Sequence, residues 1–332
     1  MIRKSKYIKN MLKGVTFIDL FAGIGAFRTA FESFGAKCVF SCEWDKDAQD
    51  TYEANYGERP AGDITKIAES DIPGHDILCA GIPCQPFSIS GKRLGFADTR
   101  GTLFFEVARI VKYHQPKVVI IENVKNFVVH DGRRTFGVIM NTMDELGYVV
   151  YHKVLNATDY GVPQKRERVY IVCIRKDLDN SQFVFPNPIP LKKHLCNLLL
   201  PDDEADAYVI DRDDIVLRRR IPKRYSNTPL RIGMVNKGGQ GERIYSPRGV
   251  SITLSAYGGG VGAKTGLYLI NNRIRRLAPR ECARLDGFRD KFKIPNNRNI
   301  AYKQFGNSIV VDVLQHIILQ LVLTEGQLFD VA

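Results

Sequence analysis

No two cysteines in this 332-residue chain form a CxxC pair and none stands at a Cys/His metal-ligand spacing; the seven fall at positions 38, 42, 79, 84, 173, 196 and 282. An odd, scattered set of this kind argues against a disulfide-built secreted scaffold and against a structural zinc site. Long apolar runs are scarce as well. None approaches the roughly 18 residues of a membrane span, and the start, MIRKSKYIKNMLKG, lacks the apolar core of a signal peptide. The expectation is a cytoplasmic protein with no metal and no membrane partner. Internal repeats and low-complexity segments are also absent, and tryptophan occurs once, as Trp44.

What the chain has in excess is positive charge, and the excess is localised. The net charge is +12, yet residues 211–303 alone carry 21 Lys+Arg against 7 Asp+Glu, a balance of +14 that leaves −2 for the remainder. A charge run by itself is usually a solvated face. Here the basic residues are interleaved with Gly, Tyr, Asn, Gln and Thr, which suits a loop-rich surface that tracks phosphates and offers side chains to base edges. The length exceeds that of one compact core, so a large domain with a smaller second one is expected.

The N-terminal half reads as α/β. Val15–Leu20 is a strand-like run leading into FAGIGAF (residues 21–27) and an amphipathic helix from about Phe27 to Phe34. Gly23 and Gly25 permit a tight turn and close approach of backbone to a ligand at the helix N-terminus. The next strand, Cys38–Cys42, ends in Glu43-Trp44, about 20 residues after the glycine loop, where an acidic side chain typically meets ribose hydroxyls. Trp44 is placed to lie flat against an adenine, and Asp63 can accept from its amino group, although Asp63 alone reads equally well as a turn residue. The dinucleotide fingerprint GxGxxG needs glycine at position 28, where the chain has Arg28. A nucleoside ligand without phosphates fits better, and S-adenosylmethionine is the commonest such cofactor on this kind of sheet.

The stretch DILCAGIPCQPFSIS, residues 76–90, is a short apolar strand that breaks at Gly81 and presents Cys84 in a proline-framed loop. Open α/β sheets place their chemistry past the carboxyl ends of their strands. Cys84 is therefore the candidate nucleophile, against the commoner case of an inert core thiol. A helix is expected over Gly101–Tyr113 and a buried strand over Lys117–Ile121, ending in Glu122-Asn123-Val124. That puts the Glu122 carboxylate at the same edge as a general acid or hydrogen-bonding group. Thr135–Leu146 reads as a helix, and Tyr148–Leu155 and Val169–Ile174 as strands. In the intervening GVPQKRER, Arg166 and Arg168 alternate along an extended segment and are expected to project to one side as a clamp on an anion or a ring carbonyl.

From Pro186 to Pro201 the organisation changes, and beyond it short β-prone pieces rich in glycine suggest a small, mostly β domain. The second half of RIRRLAPRECARLDGF looks helical, and the chain finishes with an apolar-stripe helix starting near Ser308, with Asn307 just ahead of it.

Taken together, FAGIGAF, GIPCQPFS, ENV, QKRER, RLAPRECARLDGF and GNS resemble, in order and spacing, the motifs of the bacterial DNA (cytosine-5) methyltransferases, across Val15 to about Val311. The resemblance implies a doubly wound, Rossmann-like α/β sheet dependent on S-adenosylmethionine, with a smaller, mostly β target-recognition domain. It implies residues 1–196 plus 307–332 as the catalytic domain, 197–278 as the reader of duplex DNA and 279–306 as a hinge. Cofactor contacts carry over to Phe21, Gly23, Gly25, Glu43, Trp44, Asp63, Leu103 and Asn307. The catalytic group is Cys84, Glu122, Arg166 and Arg168, and the DNA contacts are Ser88, Ser90, Gln240, Arg243, Thr253 and Tyr257. The product would be S-adenosylhomocysteine.

The stretches GKRLGFADTRGTLFF and KGGQGERIYS look close to one member of the family, which implies GCGC as target with the inner cytosine modified. It also implies a monomer paired in function, but not physically, with a restriction endonuclease. A tRNA cytosine methyltransferase shares most of these motifs, but the long basic glycine-rich region looks like a DNA reader. Arg28 argues against a nicotinamide oxidoreductase. A DNA-binding protein with a decayed site would normally have lost Cys84, Glu122 or an arginine.

Overall fold

The computed structural model describes residues 8–83, 103–218, 223–258 and 260–329. The chain forms two compact units, one of residues 1–155, 167–186 and 314–332 and one of residues 156–166 and 187–313.

The first unit is built on β1 (Thr16–Leu20), α1 (Ala26–Glu32), β2 (Lys37–Cys42), α2 (Lys46–Tyr56), β3 (Ile77–Gly81), α3 (Leu103–His114), β4 (Val118–Val124), α4 (Arg134–Glu145), β5 (Tyr148–Asn156) and β6 (Glu167–Arg175). Its six strands lie in the order β2-β1-β3-β4-β6-β5. β2, β1, β3 and β4 are parallel and β6 runs antiparallel to β4. The unbroken apolar character of KVVII has a direct cause: Val118, Val119, Ile120 and Ile121 are all 0 % exposed, as expected of a central strand covered on both faces. β4 also continues through Glu122, Asn123 and Val124 instead of stopping before them.

Helix ends are set by local chemistry. The Asp45 carboxylate caps α2 by accepting from the Asp47 N–H, and Gly57 closes it in the left-handed region (φ 76°), where a Cβ is costly. α1 follows Gly25 (φ 84°), which offers it no side-chain cap.

The second unit contains α5 (Asp202–Ala205), β7 (Val216–Leu217), β8 (Leu230–Met234), β9 (Arg243–Ser246), β10 (Leu267–Ile270), β11 (Arg273–Arg275), α6 (Pro279–Leu285) and α7 (Arg298–Asn307). Its strands form a five-stranded sheet in the order β11-β10-β9-β8-β7 around Ile232, Val235, Ile244, Leu267 and Ile274. The last helix, α8, covers Val311–Thr324, a little later than the expected start, because Ser308 is extended (ψ 162°) and separates it from α7, a helix that the sequence pattern did not reveal. Together, Arg298–Thr324 is the one helical stretch among the described residues with the length and apolarity of a membrane span; 61 % of its most apolar window is buried.

Candidate active site

In the first unit, three strand-end segments converge on the glycine loop. The Ala22 N–H donates to the Cys42 carbonyl (2.9 Å), the Glu43 N–H to the Ala61 carbonyl (2.8 Å) and the Ala61 N–H to the Ser41 carbonyl (2.8 Å). These bonds tie the ends of β1 and β2 to the segment that carries Asp63. Phe21 is held at φ 57° and Gly23 at φ 54°. For a phenylalanine that conformation costs of order 1 to 3 kcal/mol, and such strain tends to mark ligand-binding turns. Phe21 and Leu103, the first residue of α3, pack half-buried on the same apolar core.

Glu43 is the organiser of this loop. It is 8 % exposed. Oε2 accepts from the Gly23 N–H (2.8 Å) and Oε1 from the Asp45 N–H (2.9 Å). Burial raises its pKa above the ordinary carboxylate value, against the pull of those two N–H groups. Each carboxylate oxygen has further lone pairs for a ligand hydroxyl. Beside it, Trp44 is 69 % exposed, a bare aromatic face. Asp63 caps a short turn, with Oδ1 accepting from Thr65 N (3.0 Å) and Oγ1 (2.8 Å), which lowers its pKa.

A Cβ on Gly23 would meet nothing within 4 Å, so the loop leaves space for a ligand against its backbone. Arg28 is buried and turned to its own partners, Glu32 (2.7 Å), Glu58 (2.9 Å) and the Tyr52 hydroxyl (3.3 Å). An aromatic face, a ribose-type acceptor and no third glycine suit a nucleoside without a pyrophosphate. The sequence-expected contact Asn307 belongs to the second unit, where it ends α7 and is exposed.

The reaction centre expected from the sequence is described only in part. Cys84, Ser88 and Ser90 lie outside the described residues. The described chain reaches Pro83, just past β3, and Gly81 on β3 pairs with Glu122 on the neighbouring β4. Glu122 is 7 % exposed. Its Oε1 lies 3.2 Å from Arg168 Nε. The register explains the meeting: Tyr170 stands opposite Glu122 and Arg168 opposite Val124, so Glu122 and Arg168 are diagonal neighbours on one face of the sheet. Arg168 also donates from Nη1 to the Glu167 carbonyl (2.9 Å).

Arg166 is placed otherwise than in a shared clamp. It belongs to the second unit and is 3 % exposed. Its guanidinium donates to the carbonyls of Leu254 (3.1 Å), Gly306 (3.0 Å) and Ser308 (2.5 Å). Gln164, which sequence reasoning passed over, does similar work two residues earlier. It is 0 % exposed. It gives its amide N–H to the Leu285 carbonyl and Asp286 Oδ1 (3.2 Å each) and accepts from the Leu254 N–H (3.2 Å). Its position inside QKRER was the available signal.

The expected DNA-contacting residues that are described all lie in the second unit. Gln240 is exposed at the tip of the segment between β8 and β9. The Glu242 carboxylate shapes that tip by accepting from Asn236 Nδ2 (2.9 Å) and the Gly239 N–H (2.8 Å). Arg243 is half-buried at the start of β9, Thr253 Oγ1 donates to the Lys165 carbonyl (2.5 Å), and Tyr257 is 74 % exposed. The six described cysteines are free, and the described residues hold no group of three or more His, Cys, Asp or Glu suited to a metal ion.

Residues 15–323 match the family model for the C-5 cytosine-specific DNA methylases. The chain is similar to the type II methyltransferase M.HhaI of Haemophilus parahaemolyticus, 58 % identical over 306 residues that cover 92 % of this chain and 94 % of that one. It is similar also to the type II methyltransferase M.HaeII of Haemophilus aegyptius, 48 % identical over 311 residues and 92 % of each chain. Among solved structures, the Dnmt2 methyltransferase of S. pombe shares the fold at a TM-score of 0.72 and 20 % identity, over 92 % of this chain and 98 % of that one.

Proposed function

Because this chain belongs to the C-5 cytosine-specific DNA methylase family and is a DNA cytosine methyltransferase, we propose that it modifies a cytosine swung out of duplex DNA, through a transient bond to Cys84, with S-adenosylmethionine as cofactor. The observation that carries this reading is the sheltered Glu122–Arg168 pair, in which Glu122 lies on β4, the strand beside the one that leads into Cys84, and Arg168 on β6.

Carbon 5 of cytosine is a weak nucleophile. Addition of the Cys84 thiolate to carbon 6 makes the ring an enamine whose carbon 5 can attack an electrophile. Glu122 holds or protonates N3 and accepts from the exocyclic amine, which offsets charge developing in the ring. Arg168 grips O2 while it orients Glu122, and Arg166 ties its segment to the carbonyls of Leu254, Gly306 and Ser308. When bound, S-adenosylmethionine supplies the electrophilic methyl group. The glycine loop, Glu43 and Asp63 hold its adenosine part by hydrogen bonds and Trp44 by stacking, with Phe21, Leu103 and Asn307 as further contacts. Loss of the carbon 5 proton to a base, with departure of the thiolate, restores the aromatic ring.

Extrusion of the base costs a few kcal/mol. Ser90 and Gln240 fill the vacated place and face the orphaned guanine, while Ser88, Arg243, Thr253 and Tyr257 contact the DNA. In this reading the catalytic work falls to residues 1–196 with 307–332, target reading to 197–278, and 279–306 form the hinge. The enzyme acts as a cytoplasmic monomer, methylates the inner cytosine of GCGC and protects those sites from a partner endonuclease with which it forms no complex. Sequencing methylated cytosines in DNA from cells expressing the chain tests this. Methylation confined to the inner cytosine of GCGC is expected; unmodified GCGC sites that are fully cut by a GCGC-cleaving nuclease would contradict the target.

A further inference from the structure

We infer that Tyr56 is a positioning residue for the cofactor loop: its hydroxyl fixes the carbonyl of Gly25, and with it the turn against which S-adenosylmethionine is proposed to lie. The inference rests on the proposed cofactor reading. Tyr56 is the last residue of α2. Its hydroxyl stands 2.7 Å from the Gly25 carbonyl oxygen and 2.6 Å from Thr29 Oγ1.

The donor count fixes the direction of both bonds. A phenol has one proton and a carbonyl can only accept, so Tyr56 donates to Gly25 and Thr29 donates to Tyr56. The same carbonyl accepts the first helical bond of α1, from the Thr29 N–H (2.9 Å). Both of its lone pairs are therefore engaged, and the peptide plane after Gly25 has no freedom to rotate. On the other side, Glu43 holds the Gly23 N–H (2.8 Å). The turn is thus pinned at both ends, by a carboxylate that the ligand is expected to touch and by a phenol that it is not.

The ring contributes by shape. A Cβ on Gly25 would come within 2.7 Å of the Tyr56 hydroxyl oxygen and 2.8 Å of Cζ, so the glycine and the tyrosine are fitted to each other. Arg28 lies over the ring, 4.8 Å from its centroid, and Tyr52 packs at 4.6 Å. Burial raises the phenol's pKa, so the donor proton is retained throughout the neutral range.

The test is cofactor binding to the whole 332-residue chain, followed by calorimetry with S-adenosylhomocysteine and by fluorescence of the single tryptophan, Trp44, with S-adenosylmethionine. Tyr56→Phe removes only the donor and is expected to weaken both ligands about fivefold, the effect of one hydrogen bond. Methyl transfer at saturating cofactor should stay within about twofold of wild type, so that KM moves and kcat does not. Thr29→Val leaves the proton on Gly25 and should bind like wild type. The inference is overturned by unchanged affinity in Tyr56→Phe, by an equal loss in Thr29→Val, or by a Tyr56→Phe protein that does not fold, which would make the hydroxyl a determinant of the fold and not of the loop. Wild-type protein that binds neither ligand would instead remove the cofactor reading itself.

Discussion

Arg168 Nε stands 3.2 Å from Glu122 Oε1, between side chains 15 % and 9 % exposed. A charge pair this sheltered keeps the carboxylate in one place, and its cost is tolerable only because the partner is fixed by strand register. Glu122→Gln keeps the shape and removes the charge. It is expected to lower kcat by about 10²- to 10⁴-fold, the usual span for a general acid or base, with S-adenosylhomocysteine affinity within about twofold of wild type, measured by methyl incorporation and calorimetry.

The two arginines of QKRER should separate by phenotype. Arg166 holds three carbonyls in the second unit, so Arg166→Ala leaves buried acceptors unmet and is expected to lower unfolding stability by about 3 to 5 kcal/mol. Arg168→Lys keeps a cation beside the sheltered Glu122 carboxylate but loses the guanidinium fork, and is expected to cost activity at least tenfold while stability falls by less than about 2 kcal/mol. Urea unfolding beside methyl-transfer assays distinguishes them.

That split marks where the sequence could be read and where it could not. The glycine loop, Glu43-Trp44 and the carboxylate on β4 were legible because strand ends and tight turns leave a local signature. Arg166 and Arg168 share the same alternation in sequence, yet Arg166 is claimed by Leu254, Gly306 and Ser308, residues 88 to 142 positions away. No local pattern reports such partners. α7 was missed for a related reason: its sequence, RNIAYKQFGN, has no clear apolar stripe, and the Asn297 side chain that caps it by accepting from Asn299 and Ile300 looks like an ordinary loop residue. Tyr56 gives no sign in sequence of its bond to Gly25, 31 residues earlier.

Asp19, on β1, is 0 % exposed and burial raises its pKa well above 3.8, with the nearby Arg28 pulling the other way. A carboxyl whose folded pKa is raised adds stability below its unfolded pKa and loses it as pH climbs through the folded value. The stability of wild type relative to Asp19→Asn should therefore fall with rising pH above 3.8, by up to about 1.4 kcal/mol per pH unit, until the folded pKa is passed. Urea midpoints of the two proteins at several pH values measure this; a constant difference would contradict it.

Arg275 and Glu281 form a two-bond ion pair (2.7 and 2.8 Å) with side chains 1 % and 0 % exposed, and Glu281 also accepts from the Leu200 and Ala278 N–H groups. Glu281→Ala strands a buried guanidinium, and a loss of about 3 to 5 kcal/mol is expected on chemical unfolding. Such a loss would lie in the second unit, where both residues are found.

The central claim is covalent catalysis by Cys84, and the most direct measurement is mass spectrometry of the enzyme after turnover on duplex DNA with 5-fluorocytosine at the target position. Fluorine at carbon 5 cannot leave as a proton does, so an irreversible DNA adduct on the peptide carrying Cys84 is expected, absent in Cys84→Ser. Unmodified Cys84 peptide alongside accumulating methylated product would contradict the account.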